Sequence, residues 1–98
     1  MKGYVLALLD VHDPQVYGAY SQVVSATIAA HGGRFIVRNG AKTQREGALP
    51  AGRVILLEFP SLEKAHAWYD SEEYQALVPM RQAAATGSLT IIEGWDGE

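Results

Sequence analysis

The sequence contains no cysteine. That absence excludes disulfides, thiolate metal sites, iron–sulfur clusters and a cysteine nucleophile together. Runs of lysine and arginine are missing too. The net charge of −3 is mild and spread along the chain, so nucleic acid is not an expected partner. No apolar run reaches the ~20 residues of a membrane span, so no membrane partner is expected. The apolar stretch that ends at Leu9 runs into Asp10, His12 and Asp13 and not into a small-residue cleavage site. It reads as a strand and not as a signal peptide, and a cytoplasmic location is the expectation. Gly47 and Gly52 have the spacing of a phosphate loop, but Arg53-Val54 follows where Lys-Ser/Thr is required. Low-complexity sequence and internal repeats are also lacking.

What remains is an ordinary globular composition, 48% apolar over 98 residues. That length makes one domain, 1–98, with a modest core. Residues 4–11 are almost wholly apolar and suit a first strand. Asp13-Pro14 then reads as an N-cap with proline at the first helical position. Val16, Tyr17, Tyr20, Val23, Val24, Thr27 and Ile28 follow at three- and four-residue steps, and Gly32-Gly33 ends that helix. Residues 34–39 alternate as a second strand, 40–52 form a loop, and 53–59 a third strand. Ser61 caps a second helix, Ser71 caps its continuation, and Pro79 is expected to break that continuation near Val78. Gly87 is taken as the helix end, 89–93 as the fourth strand and 94–98 as a tail.

The order β-α-β-β-α-β predicts an α+β, ferredoxin-like fold: a four-stranded antiparallel sheet with two helices on one face. A sheet with one wet face alternates apolar and polar residues. Residues 5–9 and 54–57 are apolar throughout. Both faces therefore need cover, and one chain has helices for only one. A second copy of the chain is the simplest partner for the other. RNA-recognition modules share this plan but need exposed aromatic and basic residues on the third strand, where this chain has Val54-Ile55-Leu56-Leu57.

Gly33-Arg34-Phe35, Arg38-x-Gly40, Glu46-Gly47, Glu58-Phe59-Pro60-Ser61, Ala67-Trp68-Tyr69-Asp70-Ser71-x-x-Tyr74 and Arg81 together form a recognisable set. With these residues the chain resembles the domain-of-unknown-function 1330 family of small bacterial proteins, over residues 4–94. The resemblance implies a dimeric α/β barrel, in which two ferredoxin-like protomers pack sheet to sheet. It implies no activity. Related barrels include small monooxygenases, lactone isomerases and haem enzymes, and fold kinship alone chooses none of them.

Glu58 interrupts an apolar strand, where an unpaired carboxylate is costly. Read functionally, it is a catalytic general base or a ligand acceptor, with a pKa raised by burial. Read structurally, it is a cross-strand ion pair that pins register. If the hairpin is symmetric about its loop, Arg34 lies opposite Glu58 and Arg38 opposite Val54. Arg81, on the apolar stripe of Tyr74, Leu77 and Val78, either clamps a carboxylate or packs its stem and reaches water. Tyr20, Trp68, Tyr69 and Tyr74 either line a small cavity or are simply core. Asp10, His12 and Asp13 lack any standard metal-ligand spacing, so no metal is expected. His31 and His66 read as helix residues and not as haem ligands, and no cofactor is expected. The reading that unites these residues is a homodimer with a pocket between helices and sheet. That pocket would hold a small organic ligand through Tyr20, Arg34, Arg38, Trp68, Tyr69, Tyr74 and Arg81. As an enzyme it would perform cofactor-free proton transfer or oxygenation of a small organic acid. The alternative is a non-catalytic interaction module in which the same residues are ion pairs and core.

Overall fold

A computed structural model describes residues 1–97; Glu98, the last residue of the expected tail, lies outside the described residues. The elements run β1 (Gly3–Val11), α1 (Pro14–Ala30), β2 (Arg34–Arg38), β3 (Arg53–Phe59), α2 (Leu62–Asp70), α3 (Glu72–Gln75), α4 (Val78–Ala84) and β4 (Ala85–Glu93). The sheet order is β2-β3-β1-β4, and every neighbouring pair is antiparallel. This is the ferredoxin-like arrangement.

Local chemistry sets the helix boundaries. The Asp13 carboxylate accepts the Val16 N–H at 3.2 Å, and Pro14 occupies the first turn, where its missing N–H costs nothing. Gly32, at φ +76°, supplies the left-handed turn after α1. Ser61 accepts the Lys64 N–H, and Ser71 accepts the Tyr74 N–H while donating its hydroxyl to the Trp68 carbonyl at 2.7 Å. The break before Pro79 falls at residues 76–77, and the proline opens α4. The second crossover is therefore three short helices and not one.

The helices bury one side of the sheet. On that side lie Val5, Ala7 and Leu9 of β1 and Ile55, Leu57 and Phe59 of β3. Against them pack Tyr17, Tyr20, Val24 and Ile28, which fall at three- and four-residue steps on α1, together with Trp68 and Tyr74. Alternation sends Leu6, Leu8, Val54, Leu56 and Glu58 to the opposite face, which no helix among the described residues covers.

Two departures from the sequence expectation matter for the site. The strand expected over 89–93 begins at Ala85, and Gly87 lies within it and ends no helix. The β1 ladder continues to Val11 and pairs residue by residue back to Ala85, which overrides the weak strand preference of Thr86-Gly87-Ser88. Glycine is needed at 87: φ is +147°, and a Cβ there would sit 1.9 Å from the Leu8 carbonyl oxygen. In the β2–β3 pair, Arg34 faces Glu58 as the symmetric hairpin predicts, but the register then slips by one between Phe35 and Val37. Arg38 consequently pairs with Ile55 and not with Val54.

Candidate functional site

The slip between Phe35 and Val37 decides what Arg38 can do. Pairing with Ile55 turns Arg38 to the helix-covered face. There its guanidinium donates to the Ser21 hydroxyl at 2.9 Å and lies 4.1 Å from the centre of the Phe35 ring. Arg53 reaches the same face by simple alternation, two residues before Ile55, and sits 4.9 Å from the centre of the Tyr17 ring. Its buried Nε has no hydrogen-bond partner among the described residues. Arg81 arrives from α4 and is only 7% exposed. Its Nε donates to the Tyr74 hydroxyl at 3.2 Å. Both ion pairs found among the described residues involve Glu58, so Arg81 is a buried cation with no carboxylate beside it.

These three arginines line one pocket between the helices and the sheet, with a free volume of about 50 Å³. That is room for roughly four water molecules. Its walls are apolar, from Val5, Leu9, Val24, Ile28, Leu57 and Trp68; Tyr17 and Tyr20 add phenols, and no acidic residue among the described residues lines it. The Tyr20 and Tyr74 hydroxyls are 2.9 Å apart. Burial pushes the Tyr20 phenol well above its ordinary pKa, and the neighbouring Tyr74 pushes it further. Burial also raises Tyr17, with Arg53 and Arg38 pulling the other way. Both phenols are therefore neutral donors near pH 7. Among the described residues, the pocket holds cations and hydrogen-bond donors but no carboxylate or imidazole able to act as a base.

The structure divides the residues expected to share a site. Tyr20, Arg38, Trp68 and Arg81 line the pocket. Tyr74 stands one step behind, joined to it through Tyr20 and Arg81. Tyr69 stacks on Tyr74 with ring centres 5.6 Å apart and borders an outer cleft that shares Arg81 and Leu89 with the pocket. Trp68 is also core: it is 1% exposed and donates its indole N–H to Thr27 at 3.0 Å.

Glu58 and Arg34 are elsewhere. Leu57 and Phe59 face the helices, so Glu58 between them must face away. Its carboxylate accepts the Arg34 Nε at 3.1 Å and the Tyr4 hydroxyl at 3.2 Å, with Lys2 at 3.5 Å. Desolvation raises its pKa, but the bonds from Arg34 and Tyr4 and the nearby Lys2 outweigh this and hold the carboxyl below its ordinary range. That is opposite to the elevated pKa expected of a buried base. The geometry is that of a cross-strand pair, on the wrong side of the sheet to serve this pocket.

Tyr17, Ser21 and Arg53 line the pocket without having been singled out from sequence. Tyr17 lies three residues before Tyr20 on the same helical stripe, and Arg53 shares the parity of Ile55, Leu57 and Phe59. Both signals were available. Asp10 and Asp13 are engaged with backbone: Asp10 accepts the Gly52 N–H at 2.8 Å, and Asp13 caps α1. No helix among the described residues is long and apolar enough to cross a membrane.

The sequence matches the model of a domain of unknown function, DUF1330, over residues 2–95. The chain belongs to the DUF1330 family. No curated protein matches this sequence. Among solved structures, this DUF1330 chain is similar to the RPA0582 protein of unknown function from Rhodopseudomonas palustris. The TM-score is 0.77 at 17% identity, over 98% of this chain and 84% of that one. It is also similar to SnoaB, a cofactor-independent oxygenase from Streptomyces nogalater, with a TM-score of 0.65 at 9% identity over 98% and 95% of the two chains. Rv0793 from Mycobacterium tuberculosis gives a TM-score of 0.56 at 16% identity over 99% and 98%. At these identities the likeness is one of fold.

Proposed function

We propose that this protein is a homodimer that binds a small organic acid, as its anion, in the pocket between helices and sheet. The observation that carries this reading is Arg81: a guanidinium 7% exposed, without a carboxylate partner among the described residues, in a largely apolar pocket that two further arginines line. Burying an unpaired charge is costly, and an anionic ligand removes the cost with bidentate hydrogen bonds. The apolar walls and small volume favour a carboxylate on a short carbon body. The uncovered sheet face supports the dimer. Leu6, Leu8, Val54 and Leu56 lie at its centre, and Ile36, Val37 and Ile92 are exposed apolar residues of the same sheet.

Catalysis by Glu58 as base has no support from its position. Any reaction in this pocket starts from a substrate that arrives already ionised. Cofactor-independent oxygenation, the activity of SnoaB, is the reaction to assay first on an identified ligand.

The test is calorimetric titration and thermal shift with acetate, propionate, butyrate and benzoate. Their amides serve as neutral isosteres and inorganic phosphate as the competing anion. At least one carboxylate binds, its amide does not, and Arg81→Met removes the binding. Equal binding of acid and amide, or preference for phosphate, defeats the organic-acid reading.

A further inference from the structure

Tyr74 is fully buried, and its hydroxyl touches two groups among the described residues: Arg81 Nε at 3.2 Å and the Tyr20 hydroxyl at 2.9 Å. Distances alone leave the direction of the phenol–phenol bond open. The donor inventory settles it. A guanidinium only donates, so the Tyr74 oxygen accepts from Arg81. The one proton of Tyr74 then needs an acceptor, and the only one within reach among the described residues is the Tyr20 oxygen. The reverse direction would leave a fully buried O–H with nothing to bond to, a state native proteins avoid. Tyr20 therefore accepts from Tyr74, and its own proton is free to point elsewhere. Tyr20 lines the pocket and Tyr74 does not.

We propose that Arg81, Tyr74 and Tyr20 form a one-way donor chain that aims the Tyr20 hydroxyl proton into the pocket, making Tyr20 a specificity-determining donor to the bound anion and Tyr74 a positioning residue. This rests on the reading of the pocket as an organic-acid site. Arg81 and Tyr20 then converge on the same ligand oxygens, one as a charge and the other as a neutral donor. Tyr74 links the two, so that neither rotates independently. A chain of hydrogen bonds in a low-dielectric interior also polarises its terminal donor. The site so built takes a ligand that only accepts, a carboxylate, and discriminates against an acid, amide or alcohol that must itself donate at that position.

The experiment measures the affinity of the best-binding carboxylate from acetate, propionate, butyrate and benzoate for the wild type, Tyr20→Phe, Tyr74→Phe and the double variant. Phenylalanine keeps each ring and its packing. Losing a donor to a charged ligand weakens binding about tenfold or more in Tyr20→Phe. Tyr74→Phe weakens it by a smaller factor, and that effect shrinks in the Tyr20→Phe background, where Tyr74 can act only through its bond to Arg81. A purely structural role for Tyr74 would instead weaken binding equally in both backgrounds, and that result overturns the proposal. So does an affinity that rises in Tyr74→Phe, since it would mean that Tyr20 had been donating to Tyr74 and was released. Carboxylate binding that ignores Tyr20→Phe refutes the chain while leaving the anion pocket standing. A wild type that binds none of the four carboxylates refutes the pocket reading and the chain with it.

Discussion

Replacing Arg81 by methionine should make the empty protein more stable. Arg81 is 7% exposed, and among the described residues its side chain has one hydrogen bond and no counter-ion. Exchanging buried ionic groups for apolar residues of similar volume commonly stabilises by about 1–4 kcal/mol, and a single cation bordering a pocket with room for water lies near the middle, at about 2 kcal/mol. Against this stands the lost Nε–Tyr74 bond, about 1 kcal/mol net, softened because Tyr74 keeps its bond to Tyr20. The balance is a gain of about 1 kcal/mol or slightly more. In a domain of this size that is roughly 4–8 °C in Tm. The assay is urea and thermal unfolding by circular dichroism at one fixed protein concentration, after refolding from denaturant to strip any co-purified ligand. Adding the best carboxylate at about 100 times its Kd should then stabilise the wild type by about 2.7 kcal/mol and leave the variant unmoved, which inverts their order. An empty Arg81→Met protein that melts several degrees below the wild type would show that Arg81 is structural, and the argument from an unpaired buried charge would collapse.

Glu58 has a folded pKa below its ordinary value of 4.5, so its carboxylate form stabilises the fold above that pH, and the contribution is lost as pH falls through the lowered value. Glu58→Gln should therefore flatten the acid side of a Tm–pH curve measured from pH 7 to 3; a parallel curve would show that the Arg34 and Tyr4 contacts add nothing. Gly87→Ala should cost more than about 2 kcal/mol in urea unfolding, because the new Cβ would meet the Leu8 carbonyl at 1.9 Å in a backbone conformation that L-residues avoid. Leu56→Lys, on the uncovered face, should convert the proposed dimer to monomer in sedimentation velocity; a wild type already monomeric at tens of micromolar would refute the sheet-to-sheet pairing. Trp68→Ala should destabilise by about 3–5 kcal/mol, since it removes a fully buried ring stacked 4.1 Å from Tyr74.

Local rules made much of this protein legible in one dimension. Asp13-Pro14, Ser61 and Ser71 mark helix starts because their side chains and backbone satisfy orphan N–H groups wherever the rest of the chain goes. The unbroken apolar runs of β1 and β3 mark them as strands, and the steps Tyr17, Tyr20, Val24 and Ile28 fix the buried side of α1. Parity along β3 already separated Glu58 from Leu57 and Phe59, so the face of that carboxylate was implicit in the sequence. Tertiary structure decided the rest, because it depends on pairing between distant segments. A one-residue slip between Phe35 and Val37 moved Arg38 from the open face into the pocket, and nothing in residues 34–38 announces it. The ladder along β1 drew β4 back to Ala85 against local preference. The isolation of Arg81 from every carboxylate among the described residues, together with its place beside Tyr74, is a property of what is absent around it in space. No run of neighbours along the chain can express that.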